Sequence, residues 1–93
     1  MTPYALETTA TVRRVLTEPP SRGMPDAVAA AVYEFITGAL LENPRRVGKR
    51  LLPPRDGQWS ARRGTYRVVY EIDDERQVVV VVAVGHRADV YRR

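Results

Sequence analysis

Residues 65–84 read TYRVVYEIDDERQVVVVVAV, and the reading of this stretch decides the fold. Tyr66, Val68, Tyr70 and Ile72 alternate with Arg67, Val69 and Glu71, the period of two that a pleated strand imposes on its faces. Asp73-Asp74-Glu75-Arg76-Gln77 interrupts the apolar pattern as a hairpin loop, its acids reading as a solvated turn. Val78–Val84 is apolar at every position, so it is expected inside the sheet, covered on both faces. Two such strands joined by a short loop make an antiparallel hairpin, and the remaining elements must be arranged around it.

Moving outward, QWSARR is a further strand that ends at Gly64. KRLLPP before it is a short extended piece, and Asp56-Gly57 marks the turn between the two. Upstream the period changes. Val28, Val32, Phe35, Ile36 and Leu40 form one apolar stripe, which predicts a helix from about Asp26 to the Asn43-Pro44 stop. Gly38 lowers its propensity without interrupting the stripe. TEPPSRGMP is a turn. Before it, Thr8 or Thr9 caps a short helix through Leu16, with Val12, Val15 and Leu16 on one side. PYALETTA reads as a short edge strand, and the tail GHRADVYRR leaves the sheet. The order β-α-α-β-β-β predicts an α+β fold, with two N-terminal helices on one face of a mainly antiparallel twisted sheet. The opposite face is then partly open, and Arg67 can point there.

A chain of 93 residues encloses one modest core, so residues 1–93 form a single domain. Hydrophobic content of 44% and charged content of 28% suit a folded chain rather than a disordered one. No apolar run approaches the roughly 18–20 residues of a membrane span, and the N-terminus lacks a signal-peptide pattern. The absence of cysteine and the single histidine argue against a disulfide framework, a thiolate metal site or a histidine cluster. Together these features predict a cytoplasmic protein with no membrane contact, no metal site and no cofactor.

The net charge of +4 is unevenly distributed. From Pro44 to Arg67 the basic residues are Arg45, Arg46, Lys49, Arg50, Arg55, Arg62, Arg63 and Arg67, against the single acid Asp56, which makes +7 there and −3 elsewhere. Such clustering is the footprint of a polyanion site, and it is equally the profile of a solvated surface. Trp59, Tyr66 and Tyr70 are interleaved with the cluster and add the ingredients of base stacking. Within it Arg67 is unusual, because a guanidinium on a rigid strand is suited to stabilising charge on a phosphate. It can also snorkel to solvent or pair with Glu71. His86 follows the apolar strand and, with its near-neutral pKa, is an acid/base candidate or a structural strand-end residue. No P-loop, zinc motif or nucleophile elbow is present.

From Leu40 to Tyr91 the chain resembles the RelE toxins of bacterial toxin–antitoxin systems, within the wider RelE/ParE group. The resemblance lies in an ordered set: a helix ending in Asn43-Pro44, a leucine-containing segment, Gly57-Gln58-Trp59, then "RRGTYRVVY", a hairpin, an apolar strand, "GHR" and "VY". The string SARRG-x-YRVVYxIDD is shared with actinobacterial RelE-type toxins. The resemblance implies an mRNA interferase, an endoribonuclease that cuts mRNA in the ribosomal A site without a metal and is silenced by a cognate antitoxin. It implies that operator DNA is contacted only through the antitoxin complex. By position it gives Arg67 the stabilisation of developing charge, makes Arg87 and Tyr91 catalytic, and makes Arg62 a further basic contact. Arg45, Arg46, Lys49, Arg50 and Arg63 complete the expected RNA-phosphate surface. Two positions depart from the best-known members: lysines alternate on the strand before the arginine there, whereas Gln58 and Ser60 stand here. Neither side chain takes a proton from a 2′-hydroxyl effectively at neutral pH, so the base role passes first to His86. In ParE-like relatives the same fold inhibits DNA gyrase without the RelE catalytic set, the alternative reading.

Overall fold

The hairpin organises the sheet as its pattern predicts. The computed structural model describes residues 3–17 and 24–86, with His86 described by its backbone alone. Strand β4 (Tyr66–Asp73) pairs antiparallel with β5 (Val78–His86), and β3 (Trp59–Arg63) pairs antiparallel with the other edge of β4. The turn from β4 to β5 closes on Asp73, whose carboxylate accepts the backbone N–H of Arg76 at 3.1 Å, and on Gln77, whose φ is 56°. The turn from β3 to β4 uses Gly64 at φ 61°, a backbone region in which only glycine is unstrained.

The two outer strands are short. Strand β2 is the pair Lys49–Arg50 against β3, and β1 (Ala5–Thr8) lies on the far side of β5. The order is β1-β5-β4-β3-β2. Only the β1–β5 contact is parallel, as the connection demands: the chain leaves β1 into the helices and crosses one face before returning.

Helix α1 (Ala10–Thr17) starts where Thr9 Oγ1 accepts the Val12 N–H at 3.2 Å, so Thr9 is the cap. The second helix differs from the sequence expectation. It breaks at Gly38 into α2 (Asp26–Thr37) and α3 (Ala39–Glu42). Gly38 has left the helical region, and its N–H reaches back only to the Phe35 carbonyl at 3.3 Å. A Cβ there would stand 3.0 Å from the Glu34 carbonyl oxygen. Thr37 contributes, because its hydroxyl donates to the Tyr33 carbonyl at 2.7 Å, a side-chain bond that competes with the helical ladder. The apolar stripe survives the break, with Val32, Phe35, Ile36 and Leu40 all buried. Asp26 occupies the first helical turn rather than the cap, which is Pro25.

These side chains meet Val68, Tyr70, Val79, Val81 and Val84 from the sheet in one core. Pairing Val69 with Ala83 but Tyr70 with Val81 leaves Val82 as an extra residue, a β-bulge in the valine run. The expectation that this run is covered on both faces holds fully for one face and in part for the other, where Val78 is buried. Val79 and Val81 are fully buried under the helices, whereas Val80, Val82 and Ala83 are half-buried. Among the described residues no helix is long and apolar enough to cross a membrane.

Candidate nucleic-acid interface

Register assigns each strand residue to a face. Arg67 is paired with Arg62 and Val69 with Ser60, and because cross-strand partners share a face these four lie on the side away from the helices, as does Glu71 by alternation. Two arginines directly opposite each other are a like-charge pair, which weakens a sheet.

The pair opens onto a groove of about 460 Å³ along the β2 edge. Arg62, Arg67 and Ser60 line one side, and Arg46, Lys49 and Arg50 line the other, with no carboxylate among the described residues of the lining. Ser60 is almost fully buried, and its Oγ accepts from Arg67 Nη1 at 3.3 Å. That bond leans the guanidinium over the strand and restricts its rotamers. Gln58 also belongs to this face, where its Nε2 donates to Glu71 Oε2 at 3.2 Å.

The aromatic residues do not join the groove. Trp59, Tyr66 and Tyr70 occupy the helix-covered face and pack into the core, which corrects the base-stacking expectation: the alternation that brings Arg67 to the open face sends its neighbours to the other. Arg63 goes with them, its guanidinium 3.7 Å above the Phe35 ring, a cation–π contact. Arg45 is placed elsewhere again. It forms an ion pair with Asp74 at 2.6 Å, and the Tyr4 hydroxyl donates to the same carboxylate at 2.6 Å. The acids of the hairpin loop are therefore not merely solvated: Asp74 ties together the first strand, the segment after α3 and the hairpin. Arg76 likewise bonds Glu7. Of the expected set, Arg46, Lys49, Arg50, Arg62 and Arg67 come together. Arg87 and Tyr91 lie outside the described residues, as does the His86 side chain.

Two contacts of this region carry no signal in the sequence. Tyr70 sends its hydroxyl under the turn after α3, donating to the Pro44 carbonyl at 2.6 Å, and the residue is fully buried. Burial pushes its pKa up to about 12, so it remains a neutral donor at any physiological pH. Gly48 lies against that phenol: a Cβ at 48 would stand 2.2 Å from the Tyr70 hydroxyl oxygen. Neither contact follows from spacing, since 22 and 26 residues separate the partners.

The Asp74 cluster has a pH signature. Hydrogen bonds from Arg45 and then Tyr4 hold the Asp74 carboxyl below its usual 3.8. A depressed carboxylate adds stability above its unfolded-state pKa and loses it as pH falls through the folded value. The thermal midpoint of the native chain is therefore expected to fall more steeply below about pH 3.8 than that of Asp74→Asn, with parallel curves at higher pH. The difference is expected to be small because both partners are exposed. Parallel melting curves down to pH 2 would mean that the pair contributes nothing.

The comparisons with known proteins agree with this architecture. Residues 22–91 match the family model described as the ParE toxin of the type II toxin–antitoxin system, parDE. Toxin RelG of Mycobacterium tuberculosis is 50% identical over 91 residues, spanning 98% of this chain and 99% of that protein. Toxin RelE of the same organism is 44% identical over 90 residues, spanning 97% and 88%. Among solved structures, the toxin–antitoxin complex RelBE2 from Mycobacterium tuberculosis contains a chain 48% identical that superposes with a TM-score of 0.82, covering 96% of this chain and 97% of that one. With the fold and the family pattern in agreement over nearly the whole length, this chain belongs to the RelE/ParE family of toxins of type II toxin–antitoxin systems.

Proposed function

We propose that this toxin is an endoribonuclease that cuts mRNA in the ribosomal A site and so stops translation. The observation that carries the reading is the groove lined by basic side chains in which Arg67 and Arg62 stand opposite each other on rigid strands. In the proposed reaction a ribose 2′-oxygen attacks the adjacent phosphorus. The P–O5′ bond breaks, leaving a 2′,3′-cyclic phosphate and a 5′-hydroxyl. The 2′-hydroxyl proton passes to a base, and the departing O5′ takes a proton from an acid. Charge gathers on the non-bridging oxygens as the phosphorus becomes five-coordinate, and fixed guanidinium groups aimed there lower the barrier. Arg67 is assigned to this task together with Arg87, on the family resemblance, and His86 and Tyr91 are assigned as the proton-transfer pair. Arg46, Lys49, Arg50 and Arg62 hold the flanking phosphates.

The relative solved as a toxin–antitoxin complex supports a cognate antitoxin for this chain. An acidic antitoxin segment would be drawn to the +7 stretch. A second reading, a noncatalytic toxin directed at gyrase or another partner, is favoured by one observation: Gln58 and Ser60 leave these positions of the open face without a proton acceptor.

Purified toxin added to ribosomes programmed with a defined mRNA separates the two. Cleavage within the A-site codon, with free mRNA left mostly intact, is the expected result. An uncut message together with inhibited DNA supercoiling would establish the second reading instead.

A further inference from the structure

The groove has one wall that the sheet barely supplies. Arg46 and Gly48 belong to the segment between α3 and β2, and β2 itself, Lys49–Arg50, contributes only two residues to the sheet, too short a ladder to hold a wall in place. Among the described residues neither Arg46 nor Lys49 has a hydrogen-bond or ion-pair partner for its side chain, so the backbone sets the region that each charge can reach. That backbone is held from beneath. The Tyr70 hydroxyl donates to the Pro44 carbonyl at 2.6 Å, and the Arg46 and Val47 amides return to the Asn43 carbonyl at 3.1 and 3.4 Å. Gly48 rests between the phenol and the Ser60 carbonyl, with a Cβ position 2.2 Å and 2.8 Å from those two oxygens. Tyr70 thus reaches from the buried face of β4, opposite Arg67, to the far side of the same groove.

We propose that Tyr70 is a positioning residue of the groove. Its hydroxyl fixes the spacing between the Arg46–Lys49 wall and the Arg62–Arg67 pair, and thereby the affinity for a phosphodiester chain lying between them. The proposal rests on the RNA reading above. It requires no contact between Tyr70 and RNA, because the phenol acts through Pro44 and Gly48.

Tyr70→Phe keeps the packed ring and removes the donor. The probe is a short single-stranded RNA, 2′-O-methylated throughout so that it cannot be cut, with affinity read by fluorescence anisotropy over a salt series. The expected result is a Kd raised by about tenfold, the equivalent of one buried hydrogen bond. The slope of log K against log salt should become shallower by about 0.7–1.4, as one or two phosphate contacts are lost. Lys49→Ala on the Tyr70→Phe background should then cost much less than on the native chain, since the wall has already moved. A variant that merely melts earlier would leave the slope unchanged at temperatures where it is folded. An unchanged slope, or strictly additive penalties, would overturn the proposal while leaving the RNA reading intact. No binding by the native chain at low salt would overturn the proposal alone, because the RNA reading is decided on programmed ribosomes. If Tyr70→Phe does not fold, Pro44→Ala keeps the acceptor carbonyl and loosens the turn around it. A shallower slope in that variant supports the proposal, and an unchanged one overturns it.

Discussion

Arg67→Ala is expected to slow mRNA cleavage on programmed ribosomes by about 10²–10³-fold, the usual cost of removing one preorganised donor from a developing oxyanion. The side chain is well placed for that loss to be specific. It projects from the middle strand of five, is steadied by Ser60 Oγ at 3.3 Å, and faces Arg62 across the ladder. Removing it also removes a like-charge pair, so urea denaturation is expected to show stability within about 1 kcal/mol of the native value. Arg67→Lys keeps the charge but not the planar fork, and should recover binding better than rate. Native rates from a folded Arg67→Ala would remove Arg67 from the mechanism.

Gly48→Ala is expected to be strongly destabilising. The added carbon would meet the Tyr70 hydroxyl at 2.2 Å and the Ser60 carbonyl at 2.8 Å. The first is the tip of a fully buried side chain and the second is strand backbone, so neither moves freely. Overpacking costs about 1–3 kcal/mol. Displacing the phenol from Pro44 adds about 1–3 kcal/mol for a buried group left unsatisfied. Against a total of roughly 5–14 kcal/mol for a domain of this size, much of the stability is lost. Urea midpoints measure it. Gly57→Ala is the control: its φ is 94° and a Cβ there meets nothing within 4 Å, so only backbone strain of about 1 kcal/mol is expected. Equal midpoints for the two variants would show that the 44–48 turn yields, and the close approach of Gly48 to Tyr70 would lose its structural meaning.

Much of this protein was legible in its residues because periodicity is a local property. Alternation in TYRVVYEI and the stripe from Val28 to Leu40 located strands, helices and core directly, since burial acts on every second strand residue or every third to fourth helical residue. The same alternation sent Arg67 to the open face. The sequence by itself determined the apolar stripes that make the core, and the density of positive charge between Pro44 and Arg67. It could not show which cations stand together. Register decided that: pairing Arg62 with Arg67 keeps one arginine in the groove, while its neighbour Arg63 turns to Phe35. The break at Gly38, the bulge at Val82 and the parallel docking of β1 were likewise set by contacts between distant segments. Tyr70 shows the division most clearly. Its alternation marked it as core, yet only the folded chain brings the Pro44 carbonyl and the bare Gly48 backbone to its hydroxyl. A hydrogen bond across that span depends on the packing of everything between, and no local pattern encodes it.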